Sequence, residues 1–203
     1  MSDITFRYAR RKRSVPGHQF LVDHQEFARN SAAEWANALA PGNEFVLCLL
    51  TESARTHDGG KDYEPWQRAM GNKDMAHPVA KPVIAHPAST NGYRHEWGSL
   101  LKAVNQLPSL PASWDEPTRQ LWYDLYLHTK VAHHGYGRAS MPDRAFPRPP
   151  TVAKQMPLRV AAIERFARLQ RALGPWRLAY LECLLKAADV DASREVMEEK
   201  DES

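Results

Sequence analysis

A chain of 203 residues, 43% of them hydrophobic and with no break in composition, has room for one domain with a substantial core, and 1–203 reads as a single domain. Its 27 Lys and Arg against 24 Asp and Glu leave a net charge of +3, too mild to mark by itself a protein that coats nucleic acid. The longest fully apolar run, Phe45 to Leu50, falls far short of the roughly 20 residues needed to cross a bilayer, and the N-terminus lacks the apolar region of a signal peptide.

A soluble, cytoplasmic protein with no membrane partner is the expectation. Cys48 and Cys183 form no C-x-x-C and read as small core residues in a reduced compartment. Arg7, Arg10, Arg11, Lys12 and Arg13 make a basic head within 1–17, while Glu195, Glu198, Glu199, Asp201 and Glu202 make an acidic tail over 194–203; both read as solvated, frayed ends. Val15-Pro16-Gly17 marks a turn. Asp23 is then placed to cap a helix carrying Phe27, Ser31, Trp35 and Leu39 along one face, with His24 pointing inward.

Pro41-Gly42 breaks the chain. A second helix from about Asn43 sets Phe45, Val46, Leu49, Leu50 and Ser53 on a stripe that His57 continues, and Gly59 and Gly60 end it. From Asp62 to Asn91 the prolines exclude a long helix and predict a loop region with short turns. A third helix runs from Gly92 or Tyr93 through Asn105 with His95 in its first turn. A fourth starts at Pro117, carries Leu121, Trp122, Leu125 and Val131, and stops at His133-His134-Gly135. The segment from Gly135 to about Met156 reads as an extended, substrate-facing loop bearing Arg138, Arg144 and Arg148. Two last helices, Pro157 to Leu173 and Trp176 to about Ser193, flank Gly174-Pro175. In the second of them Leu178, Leu181 and Leu185 share a stripe that lands on Asp189. Strand signals are confined to short alternations such as Ile4-Thr5-Phe6. The predicted class is all-α, a bundle of six or more helices with long irregular loops.

Periodicity or a glycine-terminated helix end places His24, His57, Asp58, His95, His133, His134 and Asp189 inward, and all are metal-ligand types. Burying this set in one helical core costs several kcal/mol per group unless the groups are paired, and a metal cluster satisfies them together. His18, His77, His86 and His128 fall outside the pattern and read as loop or surface residues.

The order H…HD…H…HH…D resembles the HD superfamily of metal-dependent phosphohydrolases. The accompanying words narrow the likeness: His57-Asp58-Gly59-Gly60-Lys61, Trp66-Gln67-Arg68-Ala69-Met70-Gly71-Asn72, Tyr93-Arg94-His95-Glu96, Ala132-His133-His134-Gly135-Tyr136-Gly137-Arg138, and Leu178-Ala179-Tyr180-Leu181-Glu182 leading to Asp189 and Ser193. Together they resemble the HD nuclease domain of the type I CRISPR helicase-nuclease, from about His24 to Ser193. The resemblance implies an HD-domain bundle in which His24, His57, Asp58 and Asp189 hold one metal. His95, His133 and His134 hold a second, and Asp58 bridges the two. Gly59 departs from the family, which usually has an aliphatic residue there.

The activity so implied is two-metal hydrolysis of single-stranded DNA in CRISPR interference. Imidazole-rich ligation suits Mn, Ni, Co or Fe better than Mg. Lys61 is placed to meet a phosphate oxygen or the developing charge beside Asp58, and Arg138 and Ser193 to position the strand's backbone. The chain has no Gly-rich Lys-Ser/Thr phosphate loop, so it reads as a stand-alone HD subunit or an excised domain, and a separate superfamily 2 helicase subunit or domain, and through it the CRISPR surveillance complex, are the implied partners. Two other readings stay open: an HD phosphohydrolase acting on nucleotides or a cyclic dinucleotide, and a helical interaction subunit without catalysis.

Overall fold

A computed structural model describes residues 19–135, 143–147 and 152–198, and among these every regular element is a helix. In chain order they are α1 (Leu21–Leu39), α2 (Glu44–Thr56), a 3-10 turn (Gly59–Asp62), α3 (Glu64–Ala69), α4 (His95–Asn105), α5 (Glu116–Ala132), a second short 3-10 turn (Asp143–Ala145) and α6 (Val152–Glu198). The class is all-α, as predicted. The Ile4-Thr5-Phe6 alternation and the whole basic head lie outside the described residues.

The helix starts follow local chemistry. Asn43 caps α2 by accepting from the Val46 amide at 3.1 Å, and Asp115 caps α5 by accepting from the Thr118 amide at 2.9 Å, with Pro117 in the first turn. Asp23 does not cap α1. The helix begins two residues earlier, behind Phe20, and is anchored by backbone pairing: the Leu21 amide donates to Pro78 O at 2.8 Å and the Ala80 amide to Gln19 O at 2.9 Å. The third predicted helix starts later than expected, at His95, because Asn91 and Gly92 take positive φ (53° and 85°) that no helix continues. A short helix, α3, occupies part of the predicted 62–91 loop, led in by Pro65. The last two predicted helices form one run bent at Gly174, whose φ of +73° precedes Pro175, and the run begins before the predicted Pro157.

Among the described residues the core falls into four clusters, the smallest of them Ala69, Met70 and Val79 around α3. The first joins α1, α2 and the C-terminal arm of α6 through Ala28, Ala32, Ala36, Leu50, Ala54, Leu185, Ala188 and Ala192. The buried face of α1 is therefore the alanine row, and the predicted Phe27, Ser31, Trp35, Leu39 face lies beside it. Small residues let the helices approach closely, while Ser31 Oγ and Trp35 Nε1 donate to Asp191 Oδ2 at 2.8 and 3.0 Å and Leu39 is exposed. The second cluster packs α5 on α2 and α6 around Leu49, Trp122, Tyr126, Leu169 and Leu178. The third sets α4 on α5 through Trp97, Leu100, Val131 and Phe146.

Lys130 of α5 is fully buried. Its ammonium donates to Ser53 O at 3.2 Å and Thr56 Oγ1 at 2.6 Å and lies over the Tyr126 ring at 4.0 Å. Burial pushes this amine well below the ordinary lysine range. The unfolded chain keeps the proton up to about pH 10.4 while the folded chain releases it earlier, so stability rises with pH across that window and is lost as pH falls. The melting temperature of the wild type is accordingly expected to fall more steeply from pH 10 to pH 7 than that of Lys130→Met. Parallel slopes would show that the folded chain holds Lys130 as an ordinary ammonium.

Candidate metal centre

Five elements converge on one buried point. α1 delivers His24 from its second turn, α2 ends at His57 and Asp58, α4 begins with His95, α5 ends at His133 and His134, and the C-terminal arm of α6 supplies Asp189. His24, His57 and Asp58 are fully buried and His95, His133 and Asp189 nearly so. The seven residues fall into two groups, His24-His57-Asp58-Asp189 and Asp58-His95-His133-His134, in each of which one ligand atom per residue lies within 4.8 Å of all the others.

Asp58 belongs to both groups and divides its oxygens between them. Oδ2 lies 3.2 Å from His24 Nε2 and 3.4 Å from His57 Nε2, while Asp189 Oδ1 stands at the same 3.2 and 3.4 Å from those two nitrogens. Oδ1 lies 3.2 Å from His95 Nε2 and 3.7 Å from His133 Nε2, and His134 Nε2 is 3.2 Å from His95 Nε2.

The rings are aimed from behind. His57 Nδ1 meets Ala54 O at 2.6 Å, and His133 Nδ1 meets Lys130 O at 3.1 Å. A carbonyl only accepts, so each Nδ1 donates to it and each Nε2 is the nitrogen turned inward. Burial lowers the His95 imidazole, and burial with the neighbouring His133 and His95 pushes His134 down to about 3, so both are neutral at pH 7 and in ligand form. Burial alone would raise Asp58, but His57 and Lys61 overcome it and hold the carboxyl well below the usual range; His24 and His57 do the same for Asp189. Three buried polar atoms at the point of convergence, His24 Nε2, His57 Nε2 and Asp58 Oδ1, have no hydrogen-bond partner. Buried polar groups are ordinarily satisfied. Nitrogen and carboxylate donors facing one another without protein partners fit divalent transition metals.

α2 ends at Thr56, just ahead of Gly59 and Gly60. The two glycines open a 3-10 turn whose leading residue, Asp58, is buried. Gly60 is needed for close approach, since a Cβ there would overlap the His95 carbonyl and lie 2.6 Å from Ser99 N. The turn also fixes Lys61, which is 6% exposed, ion-pairs with Asp58 and lies over the Trp66 ring at 5.3 Å. Gln67 holds the Lys61 carbonyl at 2.6 Å and ties it to Val79 and Asn72. Ser193 lies one turn past Asp189. It donates to the Asp189 carbonyl at 2.8 Å and accepts from Lys81 Nζ at 2.8 Å. Arg138 lies outside the described residues.

A cavity of about 650 Å³ opens on the second group. Trp66, Tyr93, Arg94, His95, His134 and Lys186 are among the residues in its wall. Sequence reasoning missed Lys186, whose ammonium stands 3.1 Å from Asp189 Oδ2 and 3.4 Å from His134 Nδ1 and so links the two groups at the rim. Its place three residues before Asp189 on one helix face was the available signal. No sequence signal marked Lys81, which reaches the site from a loop. Two expectations fail. His128 is buried, with Nε2 2.8 Å from Glu182 Oε1, because the neighbouring helix offers a carboxylate where the sequence stripe shows only a polar residue. Cys183 is exposed at the cavity rather than in the core, and Cys48 is half-buried. His77 and His86 are exposed, as expected, and His18 lies outside the described residues.

Among the described residues no helix is long and apolar enough to cross a membrane. Compared with family models, curated proteins and solved structures, the chain matches none.

Proposed function

We propose that the chain is a metal-dependent nuclease hydrolysing phosphodiester bonds of single-stranded DNA. The observation that carries the proposal is the Asp58 carboxylate, which presents one oxygen to each of two buried ligand groups. The two groups would each hold a metal ion, and a pair of such ions would stabilise the attacking and leaving oxygens of a phosphodiester. When bound, divalent ions supply Lewis-acid polarisation of the phosphoryl oxygens and a nucleophile at neutral pH. Five imidazoles and two carboxylates favour Mn, Ni, Co or Fe over Mg.

The chain's own residues orient and neutralise. Lys61, held against Asp58 and Trp66, and Lys186, at the rim beside His134, put ammonium groups where negative charge gathers on a transferring phosphoryl. Ser193 and Lys81 support Asp189 from behind, which makes Ser193 a positioning residue more than a direct phosphate contact. The resemblance in the sequence extends the proposal to CRISPR interference in the cytoplasm, with DNA handed over by a separate superfamily 2 helicase recruited by the surveillance complex.

A second reading, hydrolysis of nucleotides or a cyclic dinucleotide, is favoured by the cavity volume, which falls within the range that encloses a small ligand. Incubation in Mn²⁺ with circular single-stranded DNA, duplex DNA, nucleotides and a cyclic dinucleotide, beside Asp58→Ala, separates the two. Linearisation and degradation of the single-stranded circle by the wild type alone is expected. Hydrolysis of nucleotides with the circle left intact would overturn the nuclease proposal in favour of the second reading.

A further inference from the structure

The C-terminal arm of α6 does more than carry Asp189. Trp176, just past the bend at Gly174, is 86% exposed, and Tyr180, one turn on, is 52% exposed. A step of three continues the same helix face to Cys183, and Lys186 follows one turn later at its edge; both line the cavity beside His134. At the rise of an α-helix, Tyr180 and Trp176 stand roughly 5 and 10 Å along the axis from Cys183. The exposed aromatic face is thus continuous with the mouth of the metal centre, and Trp66 carries aromatic surface on into the cavity wall.

The charges on this stretch are complementary to a polyanion. Between residues 175 and 186 they are Arg177, Glu182 and Lys186. The Glu182 carboxylate lies against His128, 2.8 Å from its Nε2, whereas Arg177 and Lys186 are exposed. The face therefore offers solvent two aromatic rings, with Arg177 flanking them on one side and Lys186 on the other at the end next to the ligand cluster. Base stacking on exposed rings, with cations meeting the backbone, is how single strands are held without regard to sequence. A peptide or protein surface has no comparable reason to run into the mouth of a phosphodiester site.

Building on the reading of the centre as a nuclease, we infer that Trp176 and Tyr180 form a stacking track for successive bases of single-stranded DNA. Arg177 and Lys186 meet its phosphates, and the track feeds the strand into the cavity at His134. A duplex, whose bases are already stacked on one another, cannot use it, so the track selects single strands.

The test uses the full chain with Trp176→Ala, Tyr180→Ala and the double variant, all at exposed positions that folding does not need. Binding of a dye-labelled twenty-nucleotide oligo(dT) is followed by fluorescence anisotropy with divalent ions chelated. Cleavage of the same oligonucleotide in Mn²⁺ is then compared with hydrolysis of bis(p-nitrophenyl) phosphate, a diester too short to reach Tyr180 from the cavity. The double variant is expected to bind oligo(dT) at least about tenfold more weakly, and its ratio of oligonucleotide to small-diester hydrolysis to fall in step. If wild type and double variant bind and cut oligo(dT) equally, the track is overturned with the nuclease reading intact. If the wild type hydrolyses the small diester but neither binds nor cuts oligo(dT), the track and the DNA substrate fall together.

Discussion

Asp58→Ala is expected to remove both divalent ions at once and to lower DNA hydrolysis by about 10³-fold or more, because the reaction loses several kcal/mol of charge stabilisation. Its two oxygens serve separate groups, so one side chain controls both positions. His24→Ala and His134→Ala, which touch one group each, are expected to leave about one ion per chain, and elemental analysis of protein purified in Mn²⁺ counts them. Asp58→Ala also strands Lys61, a 6% exposed lysine whose ion-pair partner is Asp58. Breaking a buried pair from one side costs about 3–5 kcal/mol. The double variant Asp58→Ala/Lys61→Met is expected to recover most of that stability and none of the metal, which separates the structural loss from the functional one. A single Asp58→Ala protein that kept one full equivalent of ion would refute the shared carboxylate.

Gly60→Ala is expected to cost about 3 kcal/mol, the upper end for overpacking, because the added methyl group meets backbone rather than a movable side chain. The Gly60 amide donates to Ser99 Oγ at 2.8 Å and its carbonyl accepts from Tyr93 Oη at 2.6 Å, so the turn cannot slide away from α4. On the facing helix a Cβ at Gly98 would stand 3.0 Å from Gly60 Cα, so the two glycines mark a backbone contact. A fall in melting temperature of roughly 6–12 °C follows for a chain of this length. His95, whose carbonyl is the obstacle, should move with α4 and weaken the second metal group. Gly59→Ala is the control: the nearest atom to its added methyl is Lys102 Cδ at 3.7 Å, and an unchanged melting temperature is expected. Equal effects at the two glycines would contradict the packing argument.

Adjacent glycines with opposite tolerances show where sequence reasoning stops. Both can be read as the end of α2, and the sequence does mark a change of direction there. Which of the two another helix presses against is a tertiary fact. The helices themselves were legible because caps and breakers are local: Asn43, Asp115, Pro117 and Gly174-Pro175 act within a turn of where they stand. The meeting of His24, His57, Asp58 and Asp189 was legible because each continues an apolar stripe or ends one, and stripes of one small helical core face one another. His128 defeats the same logic, since its burial depends on Glu182, 54 positions away in sequence. The start of α1 was misplaced for a related reason, being fixed by pairing with Pro78 and Ala80 rather than by its own first turn. Phe27 and Ser31 were set on the core face by size and periodicity, and the core instead chose the alanines that let α1, α2 and α6 approach.

The candidate ligands arrive from five separate elements spread between residues 24 and 189, and no two groups of them are local to one segment except the His57-Asp58 and His133-His134 pairs. An unfolded chain cannot assemble such a set, so any ion held there binds the native state alone and folding and metal occupancy become one equilibrium. At a free ion concentration one hundred times the dissociation constant, each site adds about 2.7 kcal/mol to the stability of the fold. The scaffold is then a reporter on the metal supply of its surroundings. Where such an ion is scarce, an unfilled ligand set would leave the fold without that share of its resistance to unfolding.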